Sequence, residues 1–157
     1  MSNFTCTVEW ARGDAAFVDG RYPRAHAWLF DGGAVVPASS SPHSVRVPLS
    51  DPAAVDPEEA LVAAVSSCHM LWFLSLAAAQ GLVVDSYHDA AEGRMGAFAD
   101  GHVGIVEVLL RPQVVVSGGK DADDAAIDAL HDAAHARCNI AHSLRGEVRV
   151  QGSWRHA

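Results

Sequence analysis

Cys68 and Cys138 are the residues of this chain best suited to chemistry, because each sits in an apolar, helix-like context where a plain core would use Leu or Ala. A thiolate attacks O–O and S–S bonds, and a second thiol close by can close a disulfide, so two such cysteines that meet in the fold would form a redox dyad. A second constellation overlaps the first. His131, His135 and Cys138 follow an i, i+4, i+7 spacing, with His142 nearby, and on one helical face such nitrogen and sulfur donors suit zinc or another borderline metal. Against it, Asp128 and Asp132 mark that face as solvated, and no HExxH or CxxC accompanies the histidines. Cys6 falls on an alternating segment and reads as a small core residue.

The elements that would position these groups can be read in order. Phe4 to Trp10 alternates apolar and polar residues, predicting a half-buried strand with Cys6 on its buried face. Asp31-Gly32-Gly33 separates Ala25 to Phe30 from Ala34 to Ala38 and predicts a hairpin. Asp56 followed by Pro57 is a helix start: Asp caps free amides, and Pro in the first turn gives up no needed hydrogen bond. Gly81 is the matching stop. This helix of about 24 residues is apolar nearly all round, predicting a central core helix wrapped by sheet. Val83 to Ala91 and Gly104 to Val116 are β-rich, Lys120 to Arg137 reads as an acidic helix closed by Cys138, and Glu147 to Trp154 as a last strand. Strands and helices in this order argue an α+β fold without βαβ alternation or internal repeat.

With 157 residues, half of them hydrophobic, the chain suits a single domain spanning 1–157. The apolar run from Ala60 to Leu82 is interrupted by Ser66, Ser67, His69, Ser75 and Gln80, which speaks against a membrane span. Met1 to Thr5 has neither a basic nor an apolar signal region, so a cytoplasmic location is expected. Three cysteines are too few for a disulfide scaffold, so a pair points to catalysis, sensing or metal binding. A net charge of −8 with a single lysine, Lys120, disfavours nucleic acid and anionic membranes as partners.

Pro57-Glu58-Glu59 at a helix start, a cysteine ten positions after Glu58, a glycine beyond the apolar run and a second cysteine some seventy positions later resemble the OsmC/Ohr family of thiol-dependent organic hydroperoxide reductases. The resemblance covers nearly the whole chain. One departure is local: the family usually follows its second cysteine with proline, an apolar residue and serine, whereas this chain has Asn139-Ile140-Ala141. The resemblance implies an OsmC-like fold, an intertwined homodimer built on two long central helices, and active sites at the subunit interface. It also implies that Cys68 attacks a small apolar hydroperoxide and becomes a sulfenic acid, which Cys138 captures as a disulfide. An external dithiol, of lipoyl type, would then reduce that disulfide, with no metal, flavin or haem as cofactor. A family member that keeps the fold as a non-catalytic binding protein, or a His/Cys metal-binding protein, is the alternative.

Elementary physics says that Cys68 needs help. It lies about 18 Å into its helix, beyond the reach of the N-terminal dipole, and apolar burial raises a thiol pKa, so a cation must approach. By the resemblance that cation is an arginine held by a glutamate. Arg24, where the first strands turn back, is the first candidate, Arg46 in Val45-Arg46-Val47 is its rival, and Glu58 is the carboxylate. Ten helical residues span about 15 Å, so Glu58 cannot touch Cys68 of its own helix, and the expectation is that the partner subunit supplies it.

Overall fold

Asp56 and Pro57 start the long helix in the way their chemistry dictates. A computed structural model of the chain describes residues 2–119 and 122–157. Helix α1 runs Pro57–Ala79. The Asp56 carboxylate accepts the Glu59 amide at 2.8 Å, and the Glu59 carboxylate accepts the Asp56 amide at 3.2 Å, a reciprocal cap. At the far end Gly81 takes a φ of +78°, a left-handed turn that glycine enters without strain. Two structural units result, Met1–Ala60 and Leu61–Ala157, with the first turn of α1 in one and the remainder in the other.

The first unit is an antiparallel sheet in the order β1-β2-β3, with β1 at Cys6–Glu9, β2 at His26–Phe30 and β3 at Val35–Ala38. The expected hairpin is present, turned by Gly33 at φ +86° and closed by the Phe30 amide on the Ala34 carbonyl at 2.9 Å. Strand β1 corrects one expectation. All four of its residues are exposed, Cys6 among them, because β1 is an edge strand paired only with β2.

The second unit bends two three-stranded sheets around one side of α1. Strands β4 (Leu82–Asp89), β5 (Glu92–Ala97), β6 (Val103–Leu110) and β7 (Pro112–Gly119) precede helices α2 (Asp124–His135) and α3 (Asn139–His142). Strands β8 (Glu147–Val150) and β9 (Ser153–His156) close the chain. The sheet orders are β4-β7-β9 and β5-β6-β8, antiparallel for β4–β7 and β5–β6, and parallel for β7–β9 and β6–β8. The parallel pairs need a crossover, which α2 and α3 provide within an α+β order that has no βαβ alternation.

The β-rich run Gly104 to Val116 and the expected last strand Glu147 to Trp154 each form two strands. Gly104 to Val116 breaks at Arg111, whose amide donates to the Asp89 carboxylate at 2.6 Å while its guanidinium pairs with Glu92 at 2.9 Å. Glu147 to Trp154 breaks at Gln151-Gly152, where a β-carbon on Gly152 would lie 2.7 Å from His131 Nε2. The acidic helix is also shorter than expected. Its expected first residues, Lys120 and Asp121, lie outside the described residues, and it ends at His135, so Cys138 is not on α2 but is the N-cap of α3.

The core sits where α1 meets the sheets. Phe73 and Ala77 pack with Leu82, Val114 and Val116 and with Ile127, Leu130 and Ala134 of α2. About two helical turns earlier, Val65 packs with Val108 and Leu110, flanked by Ile140, Val148 and Val150. The fully buried residues of α1 are Val65, His69, Phe73 and Ala77, a single i, i+4 stripe, while Leu71 is 62% exposed. Burial all round α1 is therefore not what the chain shows. Nor do the polar interruptions disqualify α1 as a span, since it is long and apolar enough to cross a membrane; the packed stripe is what assigns it to a core. Phe73 is fully buried and its ring centroid lies 4.4 Å from that of His131. Phe73→Ala is expected to lower unfolding free energy by about 3–5 kcal/mol, read from urea denaturation.

Candidate functional site

Cys68 lies midway along α1 and is partly exposed; Cys138 is completely buried. Cys138 caps α3 with sulfur in the place usually taken by a serine or aspartate oxygen. Its Sγ accepts the Ala141 amide at 3.4 Å and lies 4.0 Å from the Val65 carbonyl oxygen on α1. Val65 is three residues before Cys68, one helical turn away, and the Cys68 thiol is close enough to help raise the pKa of Cys138. The two thiols predicted as a pair are thus neighbours, although 70 residues apart in the chain. Burial pushes the Cys138 thiol up to about 11, and the neighbouring Cys68 thiol adds to it, outweighing the α3 amides that favour the thiolate. Cys138 is therefore a thiol at neutral pH.

Arg24 and Glu58 belong to the first unit, the thiols to the second. Arg24 Nη1 donates to the Gly20 carbonyl at 2.8 Å and to the Tyr22 carbonyl, and its guanidinium carbon stacks 3.7 Å from the Tyr22 ring centroid. Beside it Phe17 stacks on Tyr22 at 4.6 Å and Trp10 meets Tyr22 edge-on at 5.5 Å. These residues line a largely apolar cavity of about 400 Å³ that also reaches His26, Ser40 and Pro57. Glu58 is half-buried and makes no hydrogen bond among the described residues, the capping partner of Asp56 being Glu59. Arg46 is exposed, and its side chain makes no hydrogen bond among the described residues.

The metal constellation does not assemble. His131 turns into the core, His135 ends α2 and Cys138 caps α3, and no group of three His, Cys, Asp or Glu side chains among the described residues is placed to hold a metal ion. Asp128 and Asp132 are exposed as expected, but His131 is only 5% exposed.

The feature that sequence reasoning missed is a buried imidazole pair. His69 Nε2 lies 3.0 Å from His131 Nδ1, and the rings are within 10° of parallel. The signal was available: His69 falls on the stripe with Val65, Phe73 and Ala77, and His131 on the α2 face with Ile127 and Ala134. Burial, with His131 and His135 nearby, pushes His69 down to about 4, and burial also lowers His131.

A model of the OsmC-like protein family matches residues 50–152. The chain belongs to the OsmC-like family. It is similar along its length to the solved structure of an OsmC-like protein of unknown function from Vibrio cholerae, at 49% identity and a TM-score of 0.95, covering 98% of this chain and 100% of that one. An organic hydroperoxide resistance protein from Elizabethkingia anophelis shares the fold at 13% identity and a TM-score of 0.68, covering 100% and 98%. The organic hydroperoxide resistance protein OhrB of Bacillus subtilis does so at 17% and 0.60, covering 98% of each chain. A comparison with curated protein sequences finds no match.

Two outcomes follow from the electrostatics. Because His69 is held below its ordinary value of 6.5, the unfolded chain binds more protons than the folded one between pH 6.5 and about 4. The stability gained by keeping this imidazole neutral is full above that window and lost as pH falls through it, by about 3 kcal/mol. Urea midpoints at pH 7, 5.5 and 4.5 should fall more steeply for the wild type than for His69→Phe. Iodoacetamide at pH 7.5 should modify exposed Cys6 in the reduced native protein and leave Cys138 unmodified until denaturant is added, as peptide mass spectrometry would read.

Proposed function

We propose that this protein is a cysteine-based peroxidase that reduces organic hydroperoxides to alcohols. The observation that carries the reading is the Cys68–Cys138 pair, a partly exposed thiol beside a buried one. In the first step the Cys68 thiolate attacks the O–O bond, giving Cys68–SOH and an alkoxide that takes a proton to leave as alcohol. In the second, the Cys138 sulfur attacks the Cys68 sulfur, the hydroxyl departs, and the Cys138 proton leaves with it as water. Such proton transfer suits a thiol whose value near 11 keeps it protonated. An external dithiol of lipoyl type then returns two electrons and two protons. No resident cofactor is invoked, and neither nucleic acid nor membrane is a partner in this reading, which places the enzyme in the cytoplasm.

The proposed assembly is an intertwined homodimer. Glu58 and Cys68 are about 15 Å apart along one straight helix, so one protomer would supply Arg24 and Glu58 and its partner the thiols. Arg24 would favour the thiolate and polarise the peroxide, and Glu58 would orient Arg24. Apolar surface left open on the single chain, including Leu71 and Trp72 on α1 and Val8 on β1, supports such a partner. The cavity lined by Trp10, Phe17 and Tyr22 supports an apolar substrate.

Free thiols counted before and after one equivalent of tert-butyl hydroperoxide test the reading. The wild type should lose Cys68 and Cys138 together, Cys68→Ser neither of them, and Cys138→Ser the Cys68 thiol alone. Loss no faster than in buffer would mean that the fold serves binding instead of turnover.

A further inference from the structure

Packing alone does not account for the buried imidazoles. His69 and His131 are 1% and 5% exposed, and His69 Nδ1 and His131 Nε2 have no hydrogen-bond partner among the described residues. Two apolar side chains of similar size would fill the same space without leaving polar atoms unsatisfied. The pair stands where the Val65 cluster gives way to the Phe73 cluster, and what it joins there is α1 to α2.

That junction bears on both thiols. His69 directly follows Cys68, so the bridge fixes the rotation of α1 at the level of Cys68. His131 leads to Cys138 through a hydrogen-bonded helix end: the Arg137 amide donates to the Ala134 carbonyl at 3.1 Å and the Cys138 amide to the His135 carbonyl at 3.2 Å. On a third side Gly152 leaves room for His131 that any β-carbon would fill. A shift of α2 at His131 therefore carries Cys138 with it.

We propose that the His69–His131 bridge is the positioning element of the dithiol, holding α1 and α2 in the register that lets Cys138 capture an oxidised Cys68. The inference rests on the reading of Cys68 and Cys138 as a redox pair. The bridge needs one N–H and one lone pair. A neutral or singly protonated pair has both, whereas a doubly protonated pair sets two N–H groups against each other. The groups around it are Asp89 at the end of β4, Asp128 and Asp132 on α2, which favour protonation, and His135, which opposes it. Tyr87 of β4 presents a buried, unpartnered hydroxyl near Phe73, and the β8–β9 link presents only uncharged Gly152.

The test uses 4,4′-dithiodipyridine on full-length protein carrying Cys6→Ser, so that no peroxide enters. Cys68–SH reacts with the reagent to give a Cys68–pyridyl disulfide and one thiopyridone; Cys138–SH then attacks the Cys68 sulfur, closes the protein disulfide and releases a second thiopyridone. In His131→Leu the first release should keep its wild-type rate while the second slows by about tenfold or more, as misplacement of a reacting group predicts. His131→Asn, whose amide donates or accepts, should restore the second release. His69→Leu carries the same expectation as His131→Leu should that variant not fold. A second release at the wild-type rate in the folded Leu variants would overturn the proposal. A wild type that yields one thiopyridone and no second would instead overturn the dithiol reading, and this inference with it.

Discussion

The stripe Val65, His69, Phe73 and Ala77 on α1 is the constraint on which the second unit depends, because it is the surface that two sheets and two helices share. A straight helix presents such a stripe over about 18 Å, longer than one sheet of short strands covers without bending. The chain solves this by breaking its strands at Arg111 and at Gln151-Gly152, so that β4-β7-β9 packs on Phe73 and Ala77 while β5-β6-β8 packs on Val65. Asp89 secures the bend: one oxygen accepts the Arg111 amide and the other the Ser66 hydroxyl of α1 at 2.5 Å. His69 occupies the point of the stripe where neither cluster closes.

Burial then sorts the two thiols. A sulfur with no exposed surface, held against the Val65 carbonyl and capped by an amide, meets no bulky reagent from solution and stays protonated at neutral pH. A partly exposed sulfur one turn away can meet such a reagent first. On the proposed chemistry the order of events therefore comes from accessibility and desolvation.

Much of this was legible in the sequence wherever a residue acts on its own neighbours. Asp56-Pro57 and Gly81 bound α1, and Asp31-Gly32-Gly33 turns the first hairpin, because caps and turns are local hydrogen-bonding and steric events. The strand breaks were not legible, since Arg111 ends a strand only through Asp89 and Glu92, and Gly152 only through His131, partners far along the chain. The same holds at the site. Cys68 and Cys138 could be singled out by residue type and context, but His69 and His131 read separately as a helix residue and a metal candidate. Only the packing of α2 on α1 turns them into one pair. The exposure of β1 and the incomplete burial of α1 run against their apolar pattern because alternation and apolarity record which face is to be covered, and not whether the same chain covers it.

The residues after Cys138 depart from the family's usual sequence, and the geometry says what that departure leaves intact. The cap on α3 is made by the Ala141 backbone amide to sulfur, a contact that needs a helical turn after Cys138 but no particular side chain at positions 139–141. Ile140 packs toward the Val65 cluster and Ala141 is buried, so two of the three side chains serve to hold the turn against α1. A proline in the first turn would fix the same backbone by restricting φ, whereas here apolar packing and the cap fix it together. Positioning of Cys138 thus moves from the local chain to the contact between α3 and α1, and that contact shares α1 with the imidazole pair one turn further along. A chain that anchors its second thiol through tertiary packing depends more heavily on whatever fixes α1 against the α2–α3 segment.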